Sequence, residues 1–304
     1  MLANRTDRAL VALLVLVVCT IAYATSAITA TAAQAYTLGA ADGNPAAAPI
    51  AAHVGARTYR IVMDPNAPLD AYADRIEAFR AHGMRPQIVV GGTGTTVRGR
   101  TTVEKWQIVN TAIHAFERWP DTYSVSVINE PDLAGVSACQ YAKTYRTAYR
   151  MLKRAGVPRV LFGEFSPLNP LRWTKRALDC VGSLKTDGWA WHGYDSLPSY
   201  TGMARVAEVR RFVDATSLRT GRGNHPELYC TEYGVKTRGD AANTEAEGRA
   251  MWARALSNAR RYKVAEVVIW QILPVDGDSE SWDTSIVAAD GHPRPAFATI
   301  ASAD

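Results

Sequence analysis

Cysteine is scarce in this 304-residue chain, with four in all, and no two stand in a C-x-x-C pair. His-Glu-x-x-His is absent too, so the ligand spacings of common zinc sites are missing. There is no Gly-x-Ser-x-Gly turn to expose a serine nucleophile. No Gly-x-Gly-x-x-Gly follows the first strand-like run, which argues against an open dinucleotide-binding sheet. Charge of one sign is also lacking. The 34 basic and 29 acidic residues leave only +5, and the basic ones form no run. We read them as a solvated surface, with no nucleic-acid partner. No apolar run of membrane-spanning length occurs beyond the N-terminal segment.

That N-terminal segment stands apart. Arg5 and Arg8 precede an apolar run from Ala9 to Ala24, and Ala33-Gln34-Ala35 then offers small residues where a signal peptidase cuts. Residues 1–35 are therefore expected to be a secretory signal. Residues 36–304 would be the mature, secreted domain, with no stable membrane association once cleaved; an uncleaved signal would leave it anchored. Cleavage removes Cys19 and leaves Cys139, Cys180 and Cys230. Cys230 sits in an apolar strand-like run, so burial is its default. Cys139 and Cys180 lie by helical segments and could form a disulfide.

The remainder has a rhythm. Eight β-rich runs recur: Tyr36–Ala41, Arg57–Met63, Pro86–Gly91, Tyr123–Asn129, Arg159–Glu164, Gly188–His192, Glu227–Glu232 and Ala265–Gln271. Helical stretches separate them. Leu69–His82 places Leu69, Tyr72, Ile76 and Phe79 on one face, and Val103–Trp119 does the same with Trp106, Val109, Ile113 and Phe116. Only a short helix, about Pro45–Val54, fits between the first two strands. Several strands are nearly continuous apolar runs, as parallel strands covered on both faces are. Eight strand–helix alternations predict an α/β fold, a single-domain (β/α)8 TIM barrel.

A barrel of this kind gathers the C-terminal ends of its strands at one rim. Those ends carry Arg60, Asn129-Glu130, Glu164, His192 and Tyr194, Glu232, and Trp270. Glu130 and Glu232 come from the fourth and seventh strands, on opposite sides of the mouth. Two facing carboxyls are the equipment for breaking a glycosidic bond: one protonates the departing oxygen and the other attacks carbon or activates water. Arg60 would keep a neighbouring carboxylate charged, Tyr194 would hold its aim, and Trp270 offers a flat face to a sugar ring. Glu164 is a third strand-end carboxylate and reads as a supporting residue, since its strand adjoins the fourth. Trp173, Trp189, Trp191 and Trp282 are candidate extra sugar platforms.

These residues resemble clan A of the glycoside hydrolases, the four/seven superfamily of retaining (β/α)8 enzymes. The resemblance rests on Asn129-Glu130-Pro131 and Thr231-Glu232-Tyr233-Gly234, with Arg60, His192-x-Tyr194 and Trp270. Ser281-Trp282-Asp283-Thr284, Asp290-Gly291 and Arg294-Pro295-Ala296 extend it to the end of the chain. It implies that Glu130 is the acid/base and Glu232 the nucleophile. Asn129 would contact the sugar 2-hydroxyl, Arg60 and Tyr194 would hold Glu232, His192 would line the same subsite, and Trp270 would form its floor. Many clan members carry a histidine near the end of strand three, and Ile88–Gly94 has none. The expectation is a monomeric, secreted retaining glycosidase that cuts a β-linked glycan, endo-acting and without cofactor or metal. A carbohydrate-binding barrel without catalysis and another exported hydrolase, such as an esterase, are the rival readings.

Overall fold

The computed structural model describes residues 36–92, 102–196, 199–237, 242–274 and 283–303, the side chains of 102–104 excepted. All of them fall in one compact unit, Tyr36–Asp304. The segment 1–35 and Trp282 lie outside the described residues. The barrel strands are β1 (Thr37–Ala41), β2 (Thr58–Met63), β3 (Arg85–Gly92) and β4 (Ser124–Asn129). The second half comprises β5 (Val160–Phe165), β6 (Gly188–His192), β7 (Glu227–Tyr233) and β8 (Val264–Trp270). Each pairs in parallel with its neighbours, and β1 pairs with β8, so the sheet closes. The eight runs marked in the sequence are these eight strands.

Helices α1 (Ala48–His53), α2 (Asp70–Ala81), α3 (Thr102–Arg118) and α4 (Ala138–Arg154) follow the first four strands. Then come α5 (Pro170–Val181), α6 (Val206–Ala215), α7 (Glu245–Arg261) and α8 (Pro295–Ala301). Local chemistry starts several of them. Ser137 with Gln140, and Thr244 with Glu247, form capping boxes that satisfy the first free N–H groups of α4 and α7. Pro170 and Pro295 open α5 and α8, where a missing N–H costs nothing.

The main core lies between strands and helices. Around β5 and β6 it is aromatic: Tyr141, Phe162, Phe165 and Trp173 pack edge to face or tilted, with Trp189 and Trp191 beside them. Trp189 and Trp191 are 0% exposed, so the suggestion that they serve as sugar platforms is wrong. Their indoles point outward from the barrel into this layer and bond Thr174 and the Thr201 carbonyl. A disulfide joins Cys139 in α4 to Cys180 in α5, whereas Cys230 is a buried free thiol. A second, two-stranded parallel sheet has no counterpart among the expected elements. Leu184–Lys185 pairs with Leu218–Arg219 at the end of the barrel where strands begin. Among the described residues no helix is long and apolar enough to cross a membrane.

Candidate active site

The strand ends at one rim are locally irregular, and the irregularity aims side chains. Ile128, Glu130, Glu164 and Gln271 all have positive φ, at 66°, 44°, 60° and 66°. Residues other than glycine adopt this conformation only when their surroundings impose it, and they cluster at functional sites. Pairing register shifts beside Glu164, His192 and Ile269 in the same region. The Glu130 N–H donates to the Glu164 carbonyl at 2.8 Å, which ties the ends of β4 and β5 together. Gly92 (φ 139°) sits so close to Asn129 that a Cβ there would collide with that residue's backbone and Cβ. The end of β3 must therefore be glycine for Asn129 to hold its place.

Arg60 is the hub. It is buried, and its Nη1 lies 2.8 Å from Glu232 Oε1. Its Nη2 donates to Asn129 Oδ1 at 2.6 Å and to Glu164 Oε2 at 2.9 Å. Ser126 donates to the other Glu164 oxygen at 2.8 Å. His192 is the second centre. Its Nδ1 is 3.1 Å from Glu130 Oε1 and 3.2 Å from Glu232 Oε2, and its Nε2 is 3.7 Å from Glu164 Oε2. The Tyr194 hydroxyl donates to Glu232 Oε2 at 2.8 Å. Three carboxyls, an imidazole and a guanidinium thus interlock in a largely buried network. Glu130 is the most open carboxyl, its side chain 19% exposed against 7% for Glu232 and none for Glu164.

Burial and neighbours act in opposition on each charge. Burial alone would lower the His192 imidazolium, but the Glu232, Glu130 and Glu164 carboxylates prevail and raise it to about 10. Burial would raise Glu164, yet Arg60 and His192 pull it down to about 2. Glu164 and Glu232 hold Arg60 above its ordinary range against the cost of burial. For Glu232 burial is the larger effect and pushes its carboxyl up, while His192 and Arg60 oppose it. Glu164 is thereby held as an anion, while the charge on Glu232 depends on His192 and Arg60 to offset its burial.

Of the residues singled out from the sequence, Arg60, Asn129, Glu130, His192, Tyr194 and Glu232 form this one network. Trp270 lies apart, half-buried at the end of β8. It lines a recess of about 310 Å³ with Arg60, Tyr59, Arg75 and Gln271. The chain's tail fixes this corner: Thr284 Oγ1 donates to the Trp270 carbonyl at 3.0 Å, and Arg294 bridges Asp283 and Glu245. Ser126 and Asp42 went unnoticed in the sequence. Asp42, after β1, accepts from the backbone N–H groups of Ile272 and Leu273 and pins the loop behind Trp270. Their only sequence signals are a polar residue inside the apolar β4 run for Ser126 and a place just past the end of β1 for Asp42. Among the described residues, no group of three or more His, Cys, Asp or Glu side chains is placed to hold a metal ion.

No protein-family model and no curated protein matches the chain. Solved structures do share its fold. One is a family 39 glycoside hydrolase from Bacteroides cellulosilyticus WH2, with TM-score 0.69 and 16% identity, over 89% of this chain and 64% of that one. A second is a glucosidase from Croceicoccus marinus, at 0.66 and 18%, over 87% and 66%. A third is a psychrophilic family 10 endo-β-1,4-xylanase, at 0.60 and 14%, over 88% and 97%. The chain thus spans about two thirds of the length of the first two. At these identities the likeness establishes the barrel, and it accords with the clan A resemblance drawn from the rim residues.

Proposed function

We propose that the protein is a retaining glycoside hydrolase that cleaves a β-linked oligo- or polysaccharide, secreted after loss of residues 1–35. The observation that carries this reading is the placement of Glu130 and Glu232 against one imidazole nitrogen. Their oxygens are 3.1 and 3.2 Å from His192 Nδ1, so their separation cannot exceed the sum of the two. These are the nearest oxygens, and two carboxyls that meet at one nitrogen fit the close pair of a retaining enzyme, about 5–5.5 Å apart, better than the roughly 6.5–9.5 Å that leaves an inverting pair room for a water.

In the first step Glu232 attacks the anomeric carbon, and Glu130 gives its proton to the departing glycosidic oxygen. Arg60 and Tyr194, both on Glu232, aim the attacking oxygen. In the second step Glu130, now ionised, takes a proton from water, which displaces Glu232 from the sugar. Asn129 accepts from Arg60 through Oδ1, so its Nδ2 can donate to the sugar 2-hydroxyl. Glu164 keeps Arg60 partnered when Glu232 loses its charge to the glycosyl ester. Trp270 supplies the apolar floor. The endo assignment rests on the modest length of the rim loops in the sequence.

The test is reducing-sugar release on β-glucans, xylans, mannans and galactans, with Glu232→Gln and Glu130→Ala in parallel. The proposal expects turnover of one glycan class and losses of at least about 100-fold in each variant. No turnover on any glycan would favour a binding protein. Turnover that survives loss of Glu232 would place the chemistry elsewhere.

A further inference from the structure

The basic residues that look scattered in the sequence are gathered by the fold at the end of the barrel opposite the candidate active site. Arg146, Arg150, Lys153 and Arg154 recur along α4 at spacings of three and four, which places them on one face. Lys185, from the short strand Leu184–Lys185, faces the same groove, a cavity of about 640 Å³. Lys185 also stands in register with Arg219, and the exposed Arg222 follows on the next turn. That turn passes close by: a Cβ on Gly221 would lie 3.7 Å from the Tyr149 hydroxyl in the groove.

No carboxylate lines this groove. Asp187 nearby is already taken, by Lys153 at 3.0 Å and by the Val160 N–H. Arg146 braces the carbonyls of Val181 and Ser183. Arg150, Arg154 and Lys185 are exposed and carry no acidic partner among the described residues. The helix C-terminus favours cations in its last turn, which accounts for Lys153 and Arg154. It accounts for neither Arg146, two turns earlier, nor Lys185. Like charges four apart destabilise a helix by a few tenths of a kcal/mol each. Arg150 bears that cost against both Arg146 and Arg154 with no acidic partner among the described residues.

We infer that this groove binds a linear anionic polysaccharide, with regularly spaced carboxylate or sulfate groups along the row of guanidinium forks. Arginine suits both groups because its fork pairs with two oxygens at once. Two other polyanions fit less well. A membrane surface would want apolar side chains beside the charge, and the exposed large ones, Trp106, Leu133 and Leu168, are not in the groove. Single-stranded nucleic acid would want an open ring for stacking, and Tyr149 is only 8% exposed. The inference is independent of the reaction proposed for the other end of the barrel.

Binding of the intact protein to heparin and to polygalacturonate, at low and high salt, is the test. Phosphatidylglycerol vesicles and an oligothymidylate serve as competing probes. Arg150→Gln/Arg154→Gln/Lys185→Gln removes three groove charges. Arg57→Gln/Arg211→Gln/Arg249→Gln removes three exposed charges elsewhere. Melting temperature reports that each variant is folded. The inference expects salt-sensitive binding to at least one glycan, weakened roughly tenfold in the groove variant and by no more than about twofold in the control. It is overturned if neither glycan binds, if both variants weaken equally, or if vesicles or oligonucleotide bind more tightly than the glycans.

Discussion

His192 and Arg60 hold their positive charges for the same reason: each is buried against carboxylates that are themselves wholly or largely buried. The imidazole should remain protonated across neutral pH and titrate near 10. A histidine ring titration by NMR checks this, and Glu164→Gln should move that value downward. A value near 6.5 in the native protein would contradict the arrangement. Arg60→Met should destabilise the fold by about 3–5 kcal/mol, because Glu164 then loses its closest ion pair in the core and keeps only His192 at 3.7 Å. Arg60→Met/Glu164→Gln should recover part of that loss, since no buried charge remains without its partner. Denaturant unfolding of the two variants measures the difference.

Gly92 and the disulfide govern how elements present these residues. Gly92→Ala should leave the barrel folded but push Asn129 and the end of β4 aside. Turnover should then fall by at least about tenfold, with a stability loss of about 1–3 kcal/mol from the strained backbone. A much larger stability loss would show that the position serves the barrel and not the rim. Cys139→Ser/Cys180→Ser should lower stability by about 3 kcal/mol through the freed chain between them, with the rim network intact. The eight strands were legible because buried parallel strands read as short apolar runs, each bounded by glycine, proline or polar turns. Leu184–Lys185 and Leu218–Arg219 were not, because two residues have no period to detect. Arg60, Asn129, Glu130, His192 and Glu232 were legible as strand-end positions. Their pairings were not: nothing in the sequence says that Arg60 divides itself between Glu164 and Glu232.

The whole molecule should record its buried charges in how stability follows pH. Glu164 is lowered from 4.5 to about 2, so its contribution is present above pH 4.5 and lost as pH falls toward 2. Two groups act on the alkaline side. Glu266, buried in the barrel beside Thr58, is raised by burial from 4.5 to about 8. The unfolded chain sheds that proton first, so stability declines as pH rises from 4.5 through 8. His192 is raised from 6.5 to about 10, so its contribution is complete below 6.5 and lost through 10. The melting temperature should therefore peak in acidic solution, near pH 4.5, and Glu266→Gln should flatten the decline toward pH 8. A peak above pH 8 would contradict these assignments.

The central claim is that Glu232 forms a bond to the sugar and Glu130 manages the proton. The most direct measurement is azide rescue of Glu130→Ala on an aryl β-glycoside of whichever sugar proves to be the substrate, with the product's configuration read by NMR. An aryl leaving group needs no acid, so Glu232 still forms the glycosyl ester, and azide needs no base to attack it. The account predicts restored turnover and a glycosyl azide of retained, β configuration. An α azide, or no rescue in a folded variant that still binds the glycoside, would contradict it.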